Sequence, residues 1–276
     1  MRIALATCDS WPELDDDGPE LRAALTAEGL TVEVHSWDAQ VDWSTFDLVV
    51  IRTTWDYWDR HDQFLAWTRS VPRLLNSAEV IAWNTDKTYL RRLADAGIPV
   101  VPTTWLEPSD EFVPPDAPFV VKPSVSAGAR DTAAYRGGDP ASTSHVSRLH
   151  AAGKTVMVQP YVPAVEADGE TAVLVFDGQF SHGARKSAVL KVGGGEPALG
   201  SWSMQARAPS DAEVELALTV VETVRGWGDE LLYARVDLLP GPVLIELEVT
   251  EPALFLGLAP GSAQRFARAV ARRVQH

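Results

Sequence analysis

Residues 232–252 read LYARVDLLPGPVLIELEVTEP, two runs that alternate as strands do on either side of a Pro240-Gly241-Pro242 break. A two-residue turn at Gly241-Pro242, with glycine where a type II′ turn needs it, sets Asp237 opposite Glu246 and Arg235 opposite Glu248. Asp237, Glu246 and Glu248 then share one face. Like charges facing one another across strands repel, so such a face is open to water or holds a cation. Carboxylate oxygens suit Mg²⁺ or Mn²⁺. Magnesium is usually bridged by one or two carboxylates to substrate phosphates, so the hairpin reads as one wall of a nucleotide site. A solvated edge hairpin explains these residues alone equally well.

Upstream segments supply the opposite charge. Phe119-Val-Val-Lys-Pro123 is a strand running into Ser124-Val-Ser-Ala-Gly-Ala-Arg-Asp-Thr132, whose small residues let amides approach phosphate oxygens. Ser124, Ser126, Gly128 and Ala129 are the candidates there, with Lys122 as an adjacent point charge. The loop lacks the endings of a P-loop and of a dinucleotide fingerprint. Lys87 falls in the first turn of a helix predicted from Asn84 or Thr85 to about Ala96, closed by Gly97. A cation there opposes the helix dipole and makes better sense beside a bound anion, although a surface lysine fits as well.

The strand from Lys154 to Val162 is broken by Pro160 and Pro163, so Gln159, Pro160, Tyr161 and Val162 read as a hinge whose backbone meets a ligand, or as a plain edge strand. Glu170 opens a hairpin that turns at Asp177-Gly178 and ends in Arg185 and Lys186. Gly193 to Gly195 follows, an expected mobile segment. Ser210 and Glu213 form a capping box, and a helix from about Ser262 to Val274 closes the chain.

The first residues read as a βαβ unit: a strand from Arg2 to Ala6, a helix ending at Gly29, and a strand from Thr31 to His35. A buried strand from Asp47 to Ile51 runs into Arg52, Thr53, Thr54, Trp55, Asp56, Tyr57 and Trp58. An arginine, two hydroxyls, a carboxylate and aromatics at a strand's carboxyl end suit a small zwitterion, with Arg52 pairing a carboxylate. Packing against the next helix is the equal alternative for the tryptophans.

With 276 residues the chain can build a large core and two or three subdomains. A net charge of −14 argues against nucleic acid or an anionic membrane as partner. One cysteine, Cys8, excludes a disulfide framework. No apolar run near eighteen residues and no secretory leader is seen, so the expectation is a cytoplasmic protein acting on a small amino-acid substrate, with self-association left open.

The order of these motifs resembles the ATP-grasp ligases over roughly residues 80–260. The resemblance implies an α/β (α+β) fold: an N-terminal open α/β substrate domain (1–83), a linker helix region (84–117), a lid (118–160) and a C-terminal antiparallel-sheet domain carrying the metal hairpin (161–276). It implies that Lys87 and Lys122 bind ATP phosphates, that Val158 to Val162 meets adenine, and that Asp237, Glu246 and Glu248 hold Mg²⁺. Glu248 stands where most members have asparagine. Arg185 or Arg235, with Lys186, would stabilise the transferring group, while Glu170 joins the ATP set and Glu251 the substrate set.

A closer resemblance covers nearly the whole chain through Arg-Thr-Thr-Trp-Asp-Tyr, Trp83-Asn-Thr-Asp-Lys, Ser-Ala-Gly-Ala-Arg-Asp-Thr and Glu-Leu-Glu-Val-Thr-Glu-Pro-Ala-Leu-Phe. These motifs are similar to those of the O-ureidoserine cyclo-ligases of D-cycloserine biosynthesis. ATP-dependent carboxylate–amine ligation by internal ring closure is then the implied activity. An intermolecular amino-acid ligase and a non-catalytic nucleotide-binding homologue are the alternatives.

Overall fold

The computed structural model describes residues 1–197 and 203–275. The chain opens with β1 (Arg2–Thr7), α1 (Gly18–Ala27), β2 (Thr31–Ser36), β3 (Leu48–Thr53), α2 (His61–Ser70) and β4 (Leu74–Leu75). Ile3 to Ala6 and Leu48 to Ile51 are buried without alternation, as strands covered on both faces must be. They build a parallel sheet of order β2-β1-β3-β4. Pairing slips at its carboxyl end: Ala6 faces Ile51 but Thr7 faces Thr53, which leaves Arg52 as a bulged residue.

Two short helices follow, α3 (Ala78–Asn84) and α4 (Tyr89–Asp95). Ser77 caps α3, its hydroxyl oxygen accepting the Val80 N–H at 3.3 Å. The predicted helix thus starts at Tyr89 rather than at Asn84 or Thr85, and Lys87 lies in the break between α3 and α4 rather than in a first turn. Asn84 has a different employment from the predicted cap. Its amide donates to Leu247 O at 2.7 Å, and its carbonyl oxygen accepts from Val249 N at 3.1 Å and Thr250 Oγ1 at 2.9 Å.

The lid contains β5 (Thr104–Leu106), β6 (Phe119–Pro123), β7 (Ala133–Tyr135), α5 (Pro140–Ala151) and β8 (Val156–Pro160). Its antiparallel sheet runs β5-β8-β6-β7, so the lid recruits a strand from the stretch assigned to the linker and starts near Thr104. Beyond α6 (Ala164–Asp168) come β9 (Glu170–Phe176), β10 (Gln179–Lys186), β11 (Met204–Ala206), α7 (Asp211–Arg225), β12 (Tyr233–Leu239), β13 (Val243–Glu248) and α8 (Ser262–Val274). The capping box of Ser210 and Glu213 starts α7. Gly193 to Gly195 is tied rather than loose: Gly193 N donates to Ala134 O at 2.9 Å, and Gly195 bridges Ala134.

The C-terminal sheet, order β11-β10-β9-β12-β13, is antiparallel between each pair of neighbours. Arg235 faces Glu248 and Asp237 faces Glu246, as the hairpin reading requires. The turn differs: Leu239 pairs Val243, so three residues connect the strands, with Gly241 at φ +93°. A register shift beside Ile245 restores the pairing, because an extra residue in β13 compensates for the longer turn. One face of this sheet packs Val173, Val175, Ala234 and Val236 against α7 and α4. On the other, Phe176 and Tyr233 pack against Phe266 of α8; farther along the same face, Arg235 and Asp237 take over from the apolar residues. Core and charged floor therefore share one rigid surface. Among the described residues no helix is long and apolar enough to cross a membrane.

Asn84→Ala leaves Val249 N and Thr250 Oγ1 without their acceptor and takes one of two donors from Leu247 O, which keeps Tyr89 Oη; it is expected to destabilise the protein by roughly 2–4 kcal/mol in denaturant unfolding. A loss of less than about 0.5 kcal/mol would show that water replaces the amide at no cost.

Candidate functional site

A cavity of about 800 Å³ lies between the lid, the C-terminal sheet and the loops of the N-terminal domain, a volume suited to a nucleotide and a small substrate. Its floor is the β12–β13 hairpin. Arg235 donates through Nε to Asp237 Oδ1 at 2.8 Å and through Nη2 to Asp237 Oδ2 at 2.9 Å, and Nη2 also meets Glu248. Lys87 Nζ lies 3.2 Å from Glu246 and donates to Ser126 O at 2.7 Å. Lys186 Nζ pairs with Glu170 at 2.9 Å. These are partly or wholly buried charges, which persist only when matched.

The electrostatics follow from that matching. Burial lowers the Lys122 ammonium to about 8, with Glu246 opposing and Lys87 reinforcing the shift. For Lys186 burial also disfavours the charge, yet Glu170 and then Asp237 outweigh it and raise its pKa. Burial pushes Glu246 toward the neutral acid, but Lys87, Lys122 and Lys186 together hold its pKa below the ordinary value. Glu248 goes the other way: burial raises it, and Arg235 compensates only in part for the nearby Asp237 and Glu246. Burial, then Glu248, pushes Glu251 up to about 8.

The lid supplies the loop predicted to take phosphates. Ser126, Gly128 and Ala129 line the cavity, with Gly128 at φ +64° and Ala129 at φ +58°, a left-handed pair that curves the backbone into a concave shape. Asp131 pins the loop through Arg148 at 2.6 Å and Lys154 at 3.1 Å. Ser124 is not on the wall; its carbonyl oxygen accepts the Lys87 N–H at 2.9 Å. Gln159, Pro160, Tyr161 and Val162 line an end that Val101, Val120, Leu239 and Leu247 make apolar. The hinge is more tied than its sequence suggests, because Val158 to Pro160 pair within the lid sheet and Tyr161 N donates to Pro118 O at 3.0 Å.

At the opposite end stand Trp55, Tyr57 and Glu251 of the predicted substrate set. The other members are placed elsewhere. Arg52 is fully buried outside the cavity wall, as are Thr53 and Thr54, because the bulge in β3 turns the arginine inward. Thr53 is hydrogen-bonded to Thr7 at 2.6 Å. Asp56 accepts the Trp37 indole N–H at 2.8 Å and pairs with Arg60, so it serves the N-terminal core. Arg185 is also off the wall; its Nε donates to Asp168 O at 2.6 Å and Nη2 to Ala167 O. Of the two candidate arginines, Arg235 alone reaches the cavity.

Trp11, Asp16, Trp58, Arg130 and Phe255 complete this end. Arg130 reaches from the lid loop over the Trp58 ring, 3.8 Å from its centroid. Asp16 belongs to the acidic run Asp15-Asp16-Asp17 in the loop after β1, at the carboxyl end of a strand where open α/β sheets bind ligands, whereas no local pattern marks Trp11.

Do the residues fit a divalent cation? Among the described residues no three carboxylates converge on one centre, and Asp237, 1 % exposed, is held behind the wall by Arg235. Glu246 and Glu248 do line the cavity, and two carboxylates completed by substrate phosphates are a set magnesium accepts. Of the three carboxylates expected to hold the metal, Glu246 and Glu248 stand on the wall and Asp237 lies behind it.

Residues 3–76 match the family described as "D-cycloserine synthetase DcsG, N-terminal domain". The chain is 36 % identical to the cycloserine biosynthesis protein DcsG of Streptomyces lavendulae, covering 99 % of both chains. It superimposes on the crystal structure of D-cycloserine synthetase DcsG with a TM-score of 0.89 and 34 % identity, over 99 % of this chain and all of the other. Two more distant likenesses concern the fold alone. These are a D-alanine–D-alanine ligase of Bacillus anthracis complexed with ATP (TM-score 0.67, 13 % identity, covering 100 % and 97 %) and the ATP-grasp ligase PsnB complexed with minimal precursor, Mg and ADP (0.61, 17 %, 99 % and 98 %).

The raised pKa of Glu251 carries a sign. Between the ordinary value of 4.5 and about 8 the folded form holds a proton that the unfolded form has released, so stability falls as pH rises through that window. Glu251→Gln is expected to flatten the fall, as read by denaturant unfolding without ligands across about pH 5 to 8. An unchanged slope in the variant would remove Glu251 as its source.

Proposed function

The chain belongs to the D-cycloserine synthetase family and has the ATP-grasp fold, and from that premise we propose that it closes O-ureidoserine to cycloserine at the expense of ATP. The observation that carries the reading is one cavity joining Lys87, Lys122, Lys186, Arg235 and two wall carboxylates to an acidic and aromatic end. A non-catalytic homologue has no need of so many matched charges in one place.

Each group has a task in this reading. Lys87, Lys122 and the amides of Ser126 to Ala129 hold phosphate oxygens, and the apolar end beside Tyr161 and Val162 takes the adenine. Glu246 and Glu248 would hold Mg²⁺, and Mn²⁺ meets the same oxygen donors; a bound cation neutralises phosphate charge during transfer. Glu251, which releases its proton to solvent as the ammonium group enters, and Asp16 face the substrate's ammonium group, and Trp55 and Tyr57 pack its short side chain. The carboxylate oxygen attacks the γ-phosphorus as the bond to ADP breaks. Arg235 and Lys186 stabilise the charge on the resulting acyl phosphate. Attack by the substrate's own ureido nitrogen, the one bonded to oxygen, then expels phosphate and closes a five-membered ring; water cleaves the bond from that nitrogen to the carbamoyl carbon, and the carbamic acid released breaks down to carbon dioxide and ammonia. Positioning and charge neutralisation are the protein's whole contribution, as for phosphoryl transfer generally. The reducing, ATP-rich cytoplasm is the compartment this chemistry suits.

Purified protein with O-ureidoserine and MgATP, and no second amine, is expected to release cycloserine, ADP and phosphate. ATP consumption only when a second amino acid is present, with a dipeptide as product, would contradict ring closure and leave the fold assignment intact. Detection of AMP and pyrophosphate would contradict the acyl phosphate itself.

Two substitutions separate the tasks. Lys122→Met is expected to raise KM for ATP with little effect on substrate affinity. Glu246→Gln is expected to cut turnover on the order of 100-fold or more and, because it leaves Lys87 unmatched, to lower the unfolding temperature while the protein still folds. Near-normal turnover of the glutamine variant at ordinary Mg²⁺ would take the metal away from this wall.

A further inference from the structure

Glu251 enters the cavity from residues 250–253, and the four successive carbonyl oxygens of that segment each accept a hydrogen bond from a different side chain. Tyr233 Oη donates to Thr250 O at 2.8 Å, Trp55 Nε1 to Glu251 O at 2.9 Å, Arg52 Nη1 to Pro252 O at 3.1 Å and Arg235 Nη1 to Ala253 O at 3.3 Å. The segment has left the sheet, since β13 ends at Glu248, so side chains supply what a neighbouring strand would. Two of the donors, Trp55 and Arg52, belong to the N-terminal domain; the other two stand on β12.

Arg52 is the costly member. It is 0 % exposed, makes one hydrogen bond, and leaves Nε and Nη2 without partners among the described residues. A buried cation so thinly matched is unfavourable, and an apolar side chain would fill the space more cheaply. What the guanidinium supplies is a donor to Pro252 O, one residue beyond Glu251.

We propose that Arg52 is a positioning residue for the amino-acid end of the site: it fixes the 250–253 segment and acts on the substrate through Glu251, without touching it. This rests on the assignment of Glu251 to the substrate's ammonium group. With Trp55 holding the preceding carbonyl and Arg235 the following one, Arg52 completes a clamp that sets Glu251 from both domains.

A double-mutant cycle tests it. Wild type, Arg52→Met, Glu251→Gln and the double variant are compared for kcat and KM toward O-ureidoserine, with ATP affinity measured separately by equilibrium binding. Arg52→Met is expected to lower kcat/KM for the amino-acid substrate on the order of 10–100-fold, since small displacements cost that much, with ATP affinity within about twofold. Arg52→Lys is expected to recover part of the loss. In the double variant the Arg52 change should add nothing to the effect of Glu251→Gln, because both act through one contact. Multiplicative losses, a defect confined to ATP affinity, wild-type kinetics in Arg52→Met, or failure of both Arg52 variants to fold would each overturn the proposal. A wild type that consumes no ATP with this substrate overturns the parent reading instead, and this one with it.

Discussion

Arg235 stands between a carboxylate on its own strand and one on the neighbouring strand, and its third nitrogen reaches the backbone of the segment that follows. Period-two geometry puts Asp237 beside it, and hairpin register puts Glu248 across from it. Without the guanidinium the floor would present adjoining buried carboxylates that repel. The same constraint recurs outward, with Lys87 against Glu246 and Lys186 against Glu170. In the proposed reaction Lys87 can turn from Glu246 to a phosphate oxygen while Glu246 turns to the metal. No new uncompensated charge is buried, so ligand entry avoids the largest cost of assembling such a site.

Rigidity comes from sharing a surface with the core. The face that carries Arg235 and Asp237 is packed at its other end by Phe176, Tyr233 and Phe266, which are fully or almost fully buried. Functional side chains on a strand so anchored keep their spacing better than side chains on a loop. The lid differs. Its loop predicted to take phosphates is shaped by left-handed residues and tethered by Asp131, and Arg130 of that loop stacks on Trp58 of the N-terminal residues.

The hairpin was legible because strand alternation survives local accidents. The turn is one residue longer than its glycine signal suggests, yet the extra residue in β13 returns Asp237 to Glu246. The capping box and α8 were equally plain, being local patterns. Asn84 was misread for the opposite reason: a cap is a local signal, whereas its amide serves Leu247 and Val249, more than 160 positions away. Arg52 likewise sits where an open α/β sheet binds ligands, but a bulge, invisible in the residue types, points it into the core. Trp11 carries no periodic or capping signature, and only the folded chain brings it to the cavity.

In the proposed reaction this site activates a carboxylate by transferring the γ-phosphoryl group of ATP to it. Substrate labelled with ¹⁸O in both carboxylate oxygens distinguishes that chemistry directly, because the oxygen that attacks phosphorus leaves with it. Mass analysis after turnover is predicted to find one labelled oxygen in each inorganic phosphate and none in ADP. Unlabelled phosphate, or label in AMP, would contradict the account.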